Sequence, residues 1–127
     1  MSIEQIRLSQ TGKEQLVRLK RRTGIKNWNV LCRWGFCRSL AEPSKPSPVA
    51  IPSDSAVEMT WKTFAGPHST VYMALLKWRC HKDGVGLTDD LLNQEFRLHL
   101  HRGISYMAGD KSLRQIEDLV QVALARA

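Results

Sequence analysis

Six basic side chains lie within 14 residues near the start of the sequence, and they are its clearest candidate for chemistry. They are Lys13, Arg18, Lys20, Arg21, Arg22 and Lys26, with Arg7 shortly before them. At about 100° per residue of helix, Lys13 and Lys20 fall on one flank, Arg18 and Arg22 on the other, and Arg21 between them. Such a helix can lie along a nucleic-acid backbone, where its cations replace condensed counterions. The alternative is a solvated face whose cations suit the C-terminal end of the helix dipole.

The charge of the chain is distributed unevenly. The 127 residues include 19 Lys and Arg against 12 Asp and Glu, which gives a net charge of +7 and a pI near 9.7. Residues 1–45 hold ten of the basic and three of the acidic residues, whereas residues 46–127 hold nine of each. The excess therefore lies in the first third, where it predicts a positive patch that attracts a polyanion.

The cysteine and histidine spacings do not predict a metal site. Cys32 and Cys37 would lie about 140° apart on one helix, and Cys80, His99 and His101 lack the short spacing of zinc ligands. We expect core thiols and surface imidazoles instead, with no metal and no cofactor.

No set of residues predicts catalysis. The sequence has no phosphate-binding glycine loop, and adjacent Asp89 and Asp90 are better explained as the first turn of a helix than as an acid–base pair. Cys80 and His81 would point apart on a helix, so the thiol has no base to activate it. We therefore expect a protein that is not an enzyme.

The first 41 residues predict a strand followed by two helices. Apolar and polar residues alternate over residues 3–8, the period of a strand. Thr11 and Glu14 have capping-box spacing for a helix over about residues 12–23, and Gly24 suits the left-handed position after it. A second helix reaches about residue 41 and is apolar almost all round, so we expect it to be buried on more than one side.

Residues 42–56 predict a long loop, because they carry four of the five prolines together with several serines. Residues 57–62 alternate again and predict a second short strand. Helices should then follow from Ser69 to about residue 81, with Leu75 and Trp78 inside, and from a Thr88 cap to about residue 109. A capping box at residues 112–115 predicts a final helix with an apolar stripe that comprises Leu113, Ile116, Leu119, Val120, Ala123 and Leu124.

Length and composition predict one mainly α domain over residues 1–127, a compact helical fold with one or two short strands. Apolar residues make up 43% of the chain, no run is long enough to cross a membrane, and no secretory signal is visible. Three cysteines are too few for a disulfide scaffold. These features favour a cytoplasmic protein. The opening strand–helix–helix order also fits a ribbon-helix-helix module, in which two chains pair their strands and read the major groove.

Five segments, in order along nearly the whole chain, resemble the DndE family of bacterial DNA sulfur modification. They are residues 6–9 (Ile-Arg-Leu-Ser), 19–25 (Leu-Lys-Arg-Arg-Thr-Gly-Ile), 29–33 (Asn-Val-Leu-Cys-Arg), 61–66 (Trp-Lys-Thr-Phe-Ala-Gly) and 96–104 (Phe-Arg-Leu-His-Leu-His-Arg-Gly-Ile). In this system sulfur replaces a non-bridging oxygen of the DNA backbone.

The resemblance implies a cytoplasmic, helical homotetramer that binds DNA and performs no chemistry of its own. Its implied partners are double-stranded DNA and the desulfurase, iron–sulfur and ATPase components of the modification system. Combined with the basic cluster, it predicts an accessory protein that holds the phosphate backbone, with a preference for nicked duplex, because exchange of a phosphate oxygen favours a loosened or interrupted strand.

Two alternatives remain open at this point. A ribbon-helix-helix repressor would read bases from Gln5, Arg7 and Ser9. A protein adaptor would instead use its basic patch on an acidic partner within the modification complex.

Overall fold

The computed structural model describes residues 3–125 and shows a mainly α fold with one small sheet, as predicted. The elements are β1 (Gln5–Arg7), α1 (Gln10–Thr23), α2 (Trp28–Leu40), β2 (Glu58–Thr60), α3 (Trp61–Ala65), a 3-10 turn (Gly66–His68), α4 (Ser69–Lys82), α5 (Asp89–Gly109) and α6 (Ile116–Ala125). No helix in this part of the chain has the length and apolarity needed to span a membrane.

The crossing of α2 with α5 forms the centre of the fold, and these two helices make the most extensive contact between any two elements. Gly35 and Gly103 allow the backbones to touch, because a Cβ built on Gly103 would lie 1.5 Å from the Gly35 carbonyl oxygen. Phe36 of α2 packs against Phe64 and Phe96, with ring centroids 5.9 and 5.3 Å away. As predicted, α2 is covered on several sides.

The strand–helix–helix order is confirmed, but β1 pairs with β2 of its own chain. The pairing is antiparallel, with Ile6 opposite Met59, and both side chains are buried while Gln5 and Arg7 are exposed. A ribbon-helix-helix module would instead pair β1 with the same strand of a second chain. The sheet therefore fixes the entry to α1 and does not form the ribbon of that module.

Three predicted caps are wrong. Helix α1 begins at Gln10, where the Ser9 hydroxyl accepts from the Gly12 N–H at 3.0 Å, so Thr11 and Glu14 lie inside the helix. Ser69 is the first residue of α4 and not its cap. At α6 the Asp118 carboxylate accepts the N–H groups that precede the helix, so residues 112–115 are not a capping box. At α1 and α6 another side-chain oxygen takes the free amides, whereas α4 follows directly on the 3-10 turn and has no side-chain cap.

Two predicted apolar faces are only partly buried. Leu113 and Leu119 of the last stripe are 1% exposed, whereas Ile116, Val120 and Leu124 are 50–62% exposed. On α4, Leu76 is buried, but Leu75 and Trp78 face outward. Periodicity identified these helices correctly and misjudged which side of each meets the core.

Candidate nucleic-acid interface

Helix α1 presents one apolar face to the core and exposes two of its five cations, Arg18 and Arg21. Its buried residues are Gly12, Leu16, Leu19 and Thr23, and it packs mainly on α5. Gly24 adopts φ +75° directly after the helix, as predicted, and ends it. The buried side of α1 is therefore the side that the helical periodicity of the sequence predicts.

Three predicted residues of the basic cluster are exposed to solvent. Arg18 and Arg21 are exposed on α1, and Lys26 is exposed in the turn that follows. Among the described residues, none of the three forms a hydrogen bond or an ion pair with another side chain. Such cations can contact phosphates without first breaking an internal contact.

Two other cations of the basic cluster lie in half-buried positions. The Lys20 ammonium lies 3.8 Å from the centroid of the Trp28 ring, which fixes the side chain over the start of α2. Lys13 lies two helical turns before Lys20 on the same flank of α1, and it is also half-buried. Both lysines lie on the flank of α1 opposite Arg18.

The last two predicted site residues have internal partners. Arg22 donates from Nη1 to the Ala108 carbonyl at 2.7 Å, close to the C-terminal end of α5, where a cation is favoured by the helix dipole. Arg7 lies on β1 and forms an ion pair with Glu58 at 2.8 Å. Five of the seven predicted cations thus have no internal hydrogen-bond or ion-pair partner among the described residues, whereas Arg22 and Arg7 each have one.

The N-terminal end of α1 is held by long-range contacts. The Ser9 N–H donates to His101 Nε2 at 3.1 Å, so this nitrogen carries no proton and Nδ1–H donates to the Arg97 carbonyl at 2.9 Å. Burial lowers the pKa of His101, which favours this neutral form. Asp54, in the Pro/Ser-rich loop, accepts the Gln10 N–H at 2.7 Å. The direction of the basic helix therefore depends on α5 and on the loop.

Three arginines from the second half of the chain serve the loop. Arg79 is 1% exposed, pairs with Asp83 at 2.9 Å and donates to three carbonyls at residues 40, 42 and 44. Arg102 donates to the carbonyls of residues 39 and 44, and Arg97 to those of residues 51 and 52. Residues 42–56 have neither helix nor strand, as predicted, and these cations give the loop its shape.

The prediction of core thiols is confirmed for Cys32 and Cys80 but is wrong for Cys37, and the prediction of surface imidazoles is wrong for His99. Cys32 and Cys80 are buried, which raises the pKa of each thiol, to about 12 and about 11, but Cys37 is exposed. His99 is fully buried, hydrogen-bonded to the Ser39 hydroxyl, and is not a surface imidazole. Within residues 3–125, no three His, Cys, Asp or Glu side chains come together as a metal site would require.

A second cationic surface lies on α4 and was not predicted from the sequence. Trp78 is 59% exposed, and Lys77, His81 and Lys82 are exposed around it. The signal was present, because residues 61–82 contain no Asp or Glu. The spacing of the apolar residues of α4 led instead to the prediction that Trp78 is buried, because its position also fits a stripe that faces the core.

Comparison with known proteins supplies the context for this interface. A family model described as DNA sulphur modification protein DndE matches residues 5–115. The crystal structure of DndE from Escherichia coli B7A, involved in DNA phosphorothioation modification, is 25% identical with a TM-score of 0.70, and the match covers 84% of this chain and 98% of that chain. A glycine-to-lysine mutant of DndE is similar in fold, with 22% identity, a TM-score of 0.66, and coverage of 86% and 100%. No curated protein matches the chain.

Proposed function

This chain belongs to the DndE family of DNA sulphur modification proteins, and from that premise we propose that it is a non-enzymatic component that binds DNA during phosphorothioation. The family match over residues 5–115 confirms the resemblance predicted from the sequence. The observation that carries the DNA-binding proposal is that Arg18 and Arg21 are exposed on α1 and Lys26 in the turn after it, with Lys13 and Lys20 half-buried on one flank of the helix.

The composition of this face favours contact with phosphates over reading of bases. Its side chains are long cations on one helix and the turn after it, which suits a backbone whose charge is independent of sequence. Arg7, the base-reading residue of the repressor alternative, is paired with Glu58 on a strand whose partner is β2. The double-stranded ligand would thus be held by charge and shape.

A preference for nicked duplex follows from the chemistry of the family. Replacing a non-bridging oxygen requires access to the phosphorus, and an interrupted strand bends and opens at lower cost than an intact one. A backbone-directed protein senses such a change because the positions of the phosphates change. We expect tighter binding to a duplex with one nick than to the intact duplex of the same sequence.

We also infer a homotetramer. Helix α2 has a half-buried strip with Val30 and Trp34, and α6 exposes Ile116, Val120 and Leu124. Apolar faces of this kind are covered in oligomers with closed symmetry. Light scattering should give four times the chain mass, and a monomer at all concentrations would contradict the inference.

The second candidate is a protein adaptor, and the observation that favours it is the exposed stripe of α6. Besides its apolar residues the helix carries Glu117 and Asp118 and, within Ile116–Ala125, no basic residue. Such a face suits another protein of the sulfur-modification system and does not suit DNA. An adaptor without DNA affinity would bind that protein equally well after nuclease treatment.

Electrophoretic mobility of intact, nicked and random-sequence duplexes at two salt concentrations tests the proposal. Three to five phosphate contacts predict that log K falls with log salt at a slope of about −3 to −5. Binding should be independent of sequence. A flat salt response, or specific binding to one sequence only, would exclude backbone-directed DNA binding.

A further inference from the structure

Trp78 is the most exposed aromatic side chain among the described residues. It is 59% exposed, whereas the helix it belongs to buries Leu76, Arg79 and Cys80 on its other side. At about 100° per residue, Trp78 lies close to the centre of the outward face of α4. An indole in this position contributes little to the core of this chain.

The surroundings of Trp78 are positive. The Lys82 ammonium lies 5.2 Å from the centroid of the indole ring, and Lys77 and His81 are exposed on the same side of the helix. The first carboxylate after this stretch, Asp83, is 9% exposed and paired with Arg79. The positive charge around Trp78 therefore favours a negatively charged ligand.

An aromatic ring flanked by cations has the composition of a site for unpaired nucleotides. Bases stack on the ring while the cations hold the neighbouring phosphates, and every base has a face that can stack. In an intact duplex those faces are covered by neighbouring base pairs. The ligand that suits this site is therefore a strand with unpaired bases. Phosphate contacts such as those proposed for α1 do not require unpaired bases.

We propose that Trp78 is a stacking site for an unpaired base of DNA, with Lys77 and Lys82 as its phosphate contacts. This inference rests on the proposed DNA-binding function and adds a second surface to it. The α1 surface would bind the duplex, and the α4 surface would bind a strand whose bases are exposed.

The test uses Trp78→Ala and Trp78→Phe in the full chain, with labelled oligothymidylate and an intact duplex as probes. One lost base stack is worth about 1–3 kcal/mol, so Trp78→Ala should weaken oligothymidylate binding by about 5- to 150-fold. Binding of the intact duplex should stay within about twofold, because no base face is available there. Trp78→Phe should retain part of the affinity.

Leu75→Ala is the matched control, because Leu75 is an exposed apolar residue on the same face. It should leave oligothymidylate binding unchanged. Indole emission should also fall when oligothymidylate is added to the original protein, and this change should be lost in Trp78→Phe.

Two results would overturn the inference and leave duplex binding intact. In the first, Trp78→Ala binds oligothymidylate as well as the original protein does, or the original protein does not bind it. In the second, Trp78→Ala and Leu75→Ala both reduce the oligomer mass, which would identify the face as a protein interface. If the original protein binds neither probe, the proposed DNA-binding function fails as well.

Discussion

Removing two charges from the outer face of α1 should weaken duplex binding in a salt-dependent way. Arg18 and Arg21 are exposed, and neither forms a side-chain hydrogen bond or ion pair among the described residues, so Arg18→Gln with Arg21→Gln should leave the fold unchanged. Each phosphate contact contributes about −0.9 to the slope of log K against log salt, so the double variant should lose about 1.8. If that contribution vanishes near 1 M salt, the affinity falls by about 60-fold at 0.1 M and by only about 3- to 4-fold at 0.5 M.

Fluorescence anisotropy of a labelled duplex over a series of salt concentrations measures this directly. The matched control is Lys45→Gln with Lys111→Gln, which removes the same charge from two exposed positions outside the basic cluster. The control should change the slope by much less than the α1 variant. If both variants weaken binding equally at every salt concentration, net charge and not the α1 surface accounts for the affinity, and the reasoning is refuted.

Three further predictions concern the framework of the interface. Gly103→Ala places a Cβ against the α2 backbone and should cost at least about 3 kcal/mol in urea unfolding, whereas Gly109→Ala, with nothing within 4 Å, should be neutral or slightly stabilising. Burial, helped by nearby guanidinium groups, lowers the pKa of His99 to about 4. As the pH falls, His99 is therefore protonated in the unfolded chain before it is protonated in the folded one. The unfolding free energy should fall by up to about 3 kcal/mol between pH 6.5 and 4, and an unfolding free energy that does not change over this range would contradict the prediction. Arg79→Lys should destabilise the chain and expose residues 42–56 to protease, because one ammonium cannot reproduce the donors of a guanidinium; unchanged protease resistance would show that the loop does not depend on it.

Local signals predicted the helices that carry the candidate interface. Gly24 ends α1 in a left-handed conformation, and Thr88 caps α5 with its hydroxyl, because both signals act within one turn of the helix. The buried positions of α5, such as Phe96 and Ile104, also follow from its period. The outward face of α1 could therefore be predicted from the sequence.

Long-range contacts explain what the sequence did not predict. Thr11 and Ser9 are both good caps, and Ser9 was selected by groups far away in sequence, since its own N–H bonds to His101 and the next N–H to Asp54. The exposure of Trp78 depends on which side of α4 meets α5, which the apolar spacing of α4 alone does not determine. A local sequence pattern predicts where a helix forms, and contacts with the rest of the fold determine which side of that helix faces the core.

The positive charges of the chain have two separate roles, and net charge does not distinguish them. Arg79, Arg97 and Arg102 donate to carbonyls of the loop, a geometry that the guanidinium fork supports and a lysine does not. That loop supplies Asp54 to the first turn of α1. The orientation of α1 is thus set in part by cations that point inward. If α1 binds DNA as proposed, a variant of the inner arginines should disturb that binding through the position of the helix, whereas a variant of the outer cations should act through charge alone.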